Sequence, residues 1–230
     1  MEKQARVITN YDDVLRRVKE ACLRSSRNPE AVQILTVTKY ALEQDIYTLL
    51  KHRNINAVGE SRLQDSVKKW ACGNLAEFNP AKFFIGHLQT NKAAKVIENF
   101  DVICSLDSLH LADALEAQAQ KRGKTVKCLV QVKLADKDTQ GGVTLQEAQS
   151  LIESVRKNYT HINLAGIMAI APIAREKEEL RPLFKKVKNL FDVNFKEGDI
   201  LSLGMSEDFE TAVEEGSTLP RIGSAIFKQI

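Results

Sequence analysis

A chain of 230 residues is long enough to bury a full hydrophobic core, as one large α/β domain or two small ones. Its 33 basic and 30 acidic residues leave a formal charge of +3, too balanced for nucleic acid as a main partner. An apolar share of 43% with no run of about 18 apolar residues argues against disorder, a fibre or a membrane span. The N-terminus carries charges throughout and has no apolar centre, unlike a secretory signal. Cys22, Cys72, Cys104 and Cys128 are widely spaced with no CxxC pair, which argues against zinc or a dithiol motif and fits a reducing cytoplasm.

In chain order, Val7, Tyr11, Val14, Leu15, Val18 and Leu23 recur at helical spacing and predict a first helix over 4–25. ILTVTK (34–39) reads as a strand and is followed by a helix from Glu43 to His52. NAVGE (56–60) and KFFIG (82–86) are the next strands, with helices from Arg62 to Trp70 and over 90–100. DVICSL (101–106), TVKCLVQVKL (125–134) and NLAGIMAI (163–170) are strands, each followed by a helix: Ser108 to Lys121, Leu145 to Arg156 and Glu176 to Phe191. DILSLGMS (199–206) and LPRIG (219–223) complete the strands, with a short helix from Glu207 to Glu215 between them and a last half-turn in SAIFKQI. The loop 135–144 is the most flexible-looking stretch, and no linker divides the chain.

Eight strands in strict alternation with helices imply parallel pairing through crossovers. The expected fold is a single-domain (β/α)₈ TIM barrel over residues 1–230, with the first 30 residues as a helical extension. An open doubly wound sheet is the alternative, but no GxGxxG follows the first strand. Polar and glycine residues recur at strand exits, from Lys39 to Gly223, and in a barrel those exits meet at one face.

That face holds the candidate chemistry. Gly204-Met205-Ser206 and Arg221-Ile222-Gly223-Ser224 leave the last two strands, where this architecture commonly holds phosphate. Free amides at a helix start hold an oxyanion, a glycine lets the backbone approach, and Ser206 and Ser224 add hydroxyls. Ser206 is also a good N-cap for the following helix, so a plain cap and turn is the competing account. Lys39 faces the same mouth as a surface lysine, a phosphate counter-charge, or a nucleophile able to capture a phosphorylated aldehyde such as pyridoxal phosphate. His87 and Asn91 lie in the polar turn after KFFIG; His87 suits ring orientation or proton transfer, or simply a loop hydrogen bond. Met168 packs under a ligand or in the barrel. His52, His110 and His161 have no partner in view.

The segments VTKY, VGES, FFIGHLQTNK, LAGIMAIAP, LGMSEDFETAVEEGST and RIGSAIF, in this order, resemble the pyridoxal phosphate homeostasis proteins, single-domain relatives of the barrel half of alanine racemase. The resemblance runs from Ile34 to Phe227. It implies that Lys39 carries pyridoxal 5′-phosphate as a Schiff base, that Ser206, Gly223 and Ser224 cradle its phosphate, and that Arg221 faces the ring nitrogen. His87, Met168, Asn91 and Ser61 complete the implied pocket. An arginine at the ring nitrogen accepts no proton and weakens the ring as an electron sink.

Three departures stand out: Ser61 where the family carries asparagine, Lys133 at the end of the fifth strand, and Gln140-Gly141-Gly142 in place of Lys-Ser-Gly. They alter the polar wall, and Lys133 adds a second cation toward the ligand. The resemblance implies a protein of the vitamin B6 pool without established turnover, with cofactor-requiring apoenzymes as recipients; the cysteine usage favours the cytoplasm, and a monomer is the default expectation. The rival readings are a racemase-like enzyme and a sugar-phosphate barrel enzyme. A two-base racemase needs a second acid/base, supplied in the alanine racemases partly through a second domain. This chain stops at Ile230, which argues against racemisation.

Overall fold

The computed structural model describes residues 2–71, 73–134, 141–172 and 176–228. Eight parallel strands form a nearly closed barrel with helices between them. They are β1 (Leu35–Val37), β2 (Ala57–Glu60), β3 (Ala81–Phe84), β4 (Val102–Leu106), β5 (Val126–Lys133), β6 (Ile162–Ile170), β7 (Ile200–Ser202) and β8 (Arg221–Ile222). The helices are α1 (Glu2–Arg24), α2 (Glu43–His52), α3 (Leu63–Ala71), α4 (Ala93–Asn99), α5 (Leu109–Lys121), α6 (Leu145–Asn158), α7 (Arg181–Asn194), α8 (Phe209–Glu214) and α9 (Ser224–Phe227). Each of β2 to β7 pairs with its predecessor, and β8 returns to pair with β1, with Leu35 opposite Arg221.

The seam between β7 and β8 has a local cause. Pro220 has no N–H to give to a ladder. The Ser202 hydroxyl donates instead to Leu219 O (2.7 Å), and Arg221 N donates to Gly204 O (3.0 Å). These bonds hold the two ends together without a regular ladder.

Side-chain alternation divides the core into an interior and two outer layers. Leu35, Phe83, Val102, Cys104, Leu129 and Met168 pack inside the barrel. Outside, one layer lies under α4 to α7, and the other joins α1, α2, α8 and the backs of β2 and β8. Cys22, Cys104 and Cys128 are all buried, and Cys72 lies outside the described residues. Helix α1 is tied to the end of the chain: Asn10 donates to Ile226 O (3.0 Å), while Arg17 and Arg24 pair with Glu210 and Glu214 of α8 (2.8 and 2.7 Å).

Several expected details differ. Leu23 is exposed, because the buried stripe of α1 runs on from Val18 through Ala21 and Cys22. β7 and β8 are shorter than expected: Gly204, at φ +85°, turns the chain out of β7, and Pro220 confines β8 to Arg221–Ile222. The expected helix from Glu176 divides into a 3₁₀ turn at Lys177–Leu180 and α7, whose first turn carries Pro182. His161 does have a partner: its Nδ1 lies 2.9 Å from Glu116 Oε1.

Candidate active site

The C-terminal mouth of the barrel holds a cavity of about 490 Å³, within the range of small-molecule pockets. Lys39, Tyr40, Ile85, Ser206, Arg221 and Gly223 line it, with Met205, Glu207, Ser224, Phe227 and Lys228 at its β7–β8 side. Five sequence-predicted residues, Lys39, Ser206, Arg221, Gly223 and Ser224, therefore face one space.

Each is there for a local reason. Lys39 stands two residues past the end of β1 and is half-buried, with its amine 5.1 Å from the centre of the Tyr40 ring. Simple strand alternation puts Tyr40 on the face opposite Lys39. The ladder ends at Val37, however, and the turn that follows brings both side chains to the cavity. Arg62 stacks over the same ring, 5.5 Å from its centre, so Tyr40 takes two cations.

Arg221 projects inward from β8 and is 5% exposed. Its Nη1 donates to the carbonyl and hydroxyl oxygens of Ser202 (2.7 and 3.0 Å), and its Nη2 donates to Ala169 O (2.8 Å). Burial pushes its pKa down to about 10, against the pull of Cys104 and Asp208, so it stays a cation at neutral pH. Burial likewise raises the Cys104 thiol to about 12, with the Arg221 charge opposing.

Ser206 does not cap α8. The capping position is Asp208, whose carboxylate accepts from Met205 N at 2.6 Å and whose pKa burial raises despite that bond. The Ser206 hydroxyl instead reaches across to accept from the amides of Gly223 (3.3 Å) and Ala225 (3.1 Å). A side-chain carbon at Gly223 would meet Val37 O at 3.2 Å and Val37 Cβ at 3.3 Å, a tight fit that asks Val37 to give by a few tenths of an ångström.

The remaining predicted residues lie elsewhere on the mouth or below it. Ser61 and His87 line a neighbouring cavity of about 350 Å³, together with Arg62 and Lys92. His87 is largely exposed, 4.0 Å from Asp107. Asn91 sits in an exposed 3₁₀ turn, Thr90–Lys92. Met168 is buried in the barrel interior and does not line the Lys39 cavity. Lys133, at the end of β5, is half-buried and does not line it either. Gln140 lies outside the described residues, but Gly141 O accepts from Gln131 Nε2 at 2.8 Å.

Sequence reading passed over one cluster. Glu60 ends β2 and is 1% exposed, and its Oε1 accepts from Thr38 Oγ1 (2.7 Å), Lys69 Nζ (2.8 Å) and Trp70 Nε1 (3.3 Å). The signal was a charged residue in an otherwise apolar strand. Its partners on α3 come into reach only in the folded chain.

The donor set suits a phosphorylated, electrophilic ligand. Lys39, Arg221 and Lys228 face a single carboxylate, Glu207, among the described lining residues, with two serine hydroxyls and a glycine at the closest approach. The family model of the alanine racemase N-terminal domain matches residues 16–229.

The chain belongs to the alanine racemase N-terminal domain family.

Within this family, the pyridoxal phosphate homeostasis protein of Aquifex aeolicus is 32% identical over 218 residues, 93% of this chain and 94% of that one. Its Haemophilus influenzae counterpart is 30% identical over 223 residues, 95% of this chain and 93% of that one. PipY of Synechococcus elongatus, solved with pyridoxal phosphate bound, is 29% identical with a TM-score of 0.77, covering 93% of this chain and 99% of that one. Clostridium difficile alanine racemase shares the fold alone, at 15% identity and a TM-score of 0.71, with 98% of this chain covered against 57% of that one.

Proposed function

We propose that this protein binds pyridoxal 5′-phosphate, holds it as a Schiff base on Lys39, and serves intracellular vitamin B6 homeostasis without catalytic turnover. The single observation that carries the reading is the meeting of Lys39 with Arg221, Ser206, Gly223 and Ser224 around one cavity. The names of the homologous pyridoxal phosphate homeostasis proteins and the ligand bound to PipY support it. Bound there, pyridoxal phosphate supplies an aldehyde electrophile. Lys39 contributes the nitrogen of the new bond, and the aldehyde oxygen leaves as water. Ser206, Gly223 and Ser224 receive the phosphate, with Lys228 adding positive charge. Arg221 offers only donors.

A carrier rather than a catalyst is supported by that donor-only cation and by the openness of the Lys39 side, where Tyr40 is 73% exposed. Such a protein releases its ligand to cofactor-requiring apoenzymes. We place it in the cytoplasm as a monomer, and no described helix is long and apolar enough to cross a membrane. Borohydride reduction of the protein loaded with pyridoxal phosphate, followed by peptide mapping, tests the link. The expected tag is on Lys39, and Lys39→Ala loses both the tag and the absorbance band at about 420 nm. A tag on another amine, or none, rejects the reading. Exchange of the α-proton of an amino acid in heavy water would reject the absence of turnover.

A further inference from the structure

The ladder of β1 stops at Val37, two residues short of Lys39, so strand pairing alone does not fix where the lysine points. The residue between is held at all three of its polar atoms. Thr38 N donates to Gly59 O (3.0 Å). Its carbonyl accepts from Ala41 N (3.1 Å) and from Lys69 Nζ (2.7 Å). Its hydroxyl donates to Glu60 Oε1, and the same oxygen takes Lys69 Nζ and Trp70 Nε1. None of Glu60, Lys69 and Trp70 lines the Lys39 cavity. They stand behind the strand end, in the layer between barrel and helices.

Stability by itself is a weak reason for an ion pair in this place. The Lys69 side chain is 10% exposed and that of Glu60 is 1% exposed. Taking two charges out of water costs about as much as their attraction returns, and apolar side chains of similar size often serve stability as well. Apolar side chains do not hold a carbonyl and a hydroxyl in fixed directions. The pair does both on one residue, the one before Lys39.

We propose that Glu60 and Lys69, braced by Trp70, are positioning residues that lock the Thr38 peptide and so aim the Lys39 amine at the phosphate-bearing aldehyde held by the β7–β8 cradle. This rests on the reading of Lys39 as the anchoring amine.

The test uses the full-length double variant Glu60→Gln/Lys69→Met, which removes both charges and strands neither. Two probes are compared. Pyridoxal 5′-phosphate reports capture by the amine, through the rate of band formation and of borohydride trapping at Lys39. Pyridoxine 5′-phosphate, which has the phosphate and ring but no aldehyde, reports the cradle alone. The expected result is capture slowed roughly tenfold, as for loss of a hydrogen bond to a charged group, with the affinity for pyridoxine 5′-phosphate changed less than about twofold. Thr38→Val, which takes only the hydroxyl from the network, is the milder second variant and should show the same split at about two- to threefold. Unchanged capture in both variants overturns the proposal. So does an equal fall for both probes, which is the mark of a merely structural role. If the native protein itself is not tagged at Lys39, the anchoring reading fails instead, and the two failures are distinguishable.

Discussion

The hydroxyl of Ser206 accepts the amide of Gly223 at 3.3 Å, across the seam where β7 and β8 lack a regular ladder. One side chain thereby joins the two turns proposed to receive the phosphate, and it also accepts Ala225 N. Ser206→Ala should lower the affinity for pyridoxine 5′-phosphate by about tenfold, while unfolding free energy falls by only about 1 kcal/mol. Titration calorimetry and urea unfolding check the two halves. A large loss of stability with unchanged affinity would show that the hydroxyl closes the barrel and does not shape the cradle.

The two glycines of these turns should separate stability from binding. Gly204 has φ +85°, and a side-chain carbon there would lie 2.6 Å from Ala212 Cβ and 2.8 Å from Phe209 Cα. Gly204→Ala should destabilise the protein by about 2 kcal/mol or more, read as a lowered thermal midpoint. Gly223 has φ −124°, which any residue adopts, and its nearest contact is Val37 O at 3.2 Å. Gly223→Ala should keep most of the stability and lose phosphate-dependent affinity by about tenfold, since the added methyl would crowd the proposed phosphate cradle.

Arg221 holds the inner wall together as well as facing the cavity. Arg221→Met leaves the Ser202 carbonyl and hydroxyl and the Ala169 carbonyl without their buried donor. The expected cost is about 2–4 kcal/mol, measured by urea unfolding. Arg221→Lys should recover part of it, because an ammonium supplies donors without the planar fork.

Glu116 gives a pH dependence of definite sign. Burial raises its pKa, but hydrogen bonds from the His161 ring and amide and from Thr160 outweigh that, and the net shift is downward from 4.5. The folded value lies below the unfolded one. Its contribution is therefore fully present above about pH 4.5 and is lost as pH falls through the folded value. Urea midpoints between pH 6 and pH 3 should fall less steeply in Glu116→Gln than in the native protein. Parallel curves would show that this pairing contributes nothing to acid unfolding.

The order of β and α segments was legible from the sequence alone, because burial on both faces writes strands such as DVICSL and KCLVQV as nearly unbroken apolar runs. The candidate turn residues Gly204, Ser206, Gly223 and Ser224 were legible too, as glycines and hydroxyls at the ends of the last two strands. Lys39 was legible as a charge at the end of an apolar strand. Tertiary structure decided the rest. It placed Tyr40 beside Lys39, because alternation fails once the ladder ends. It gave Ser206 to the start of α9 instead of α8, because Asp208 already accepts the Met205 amide. It paired Glu60 with Lys69 and Thr38, and His161 with Glu116 45 residues away, through contacts between layers that no local period encodes. Local preference names the elements and the residue types at their ends; only packing around a closed barrel decides which of those ends meet.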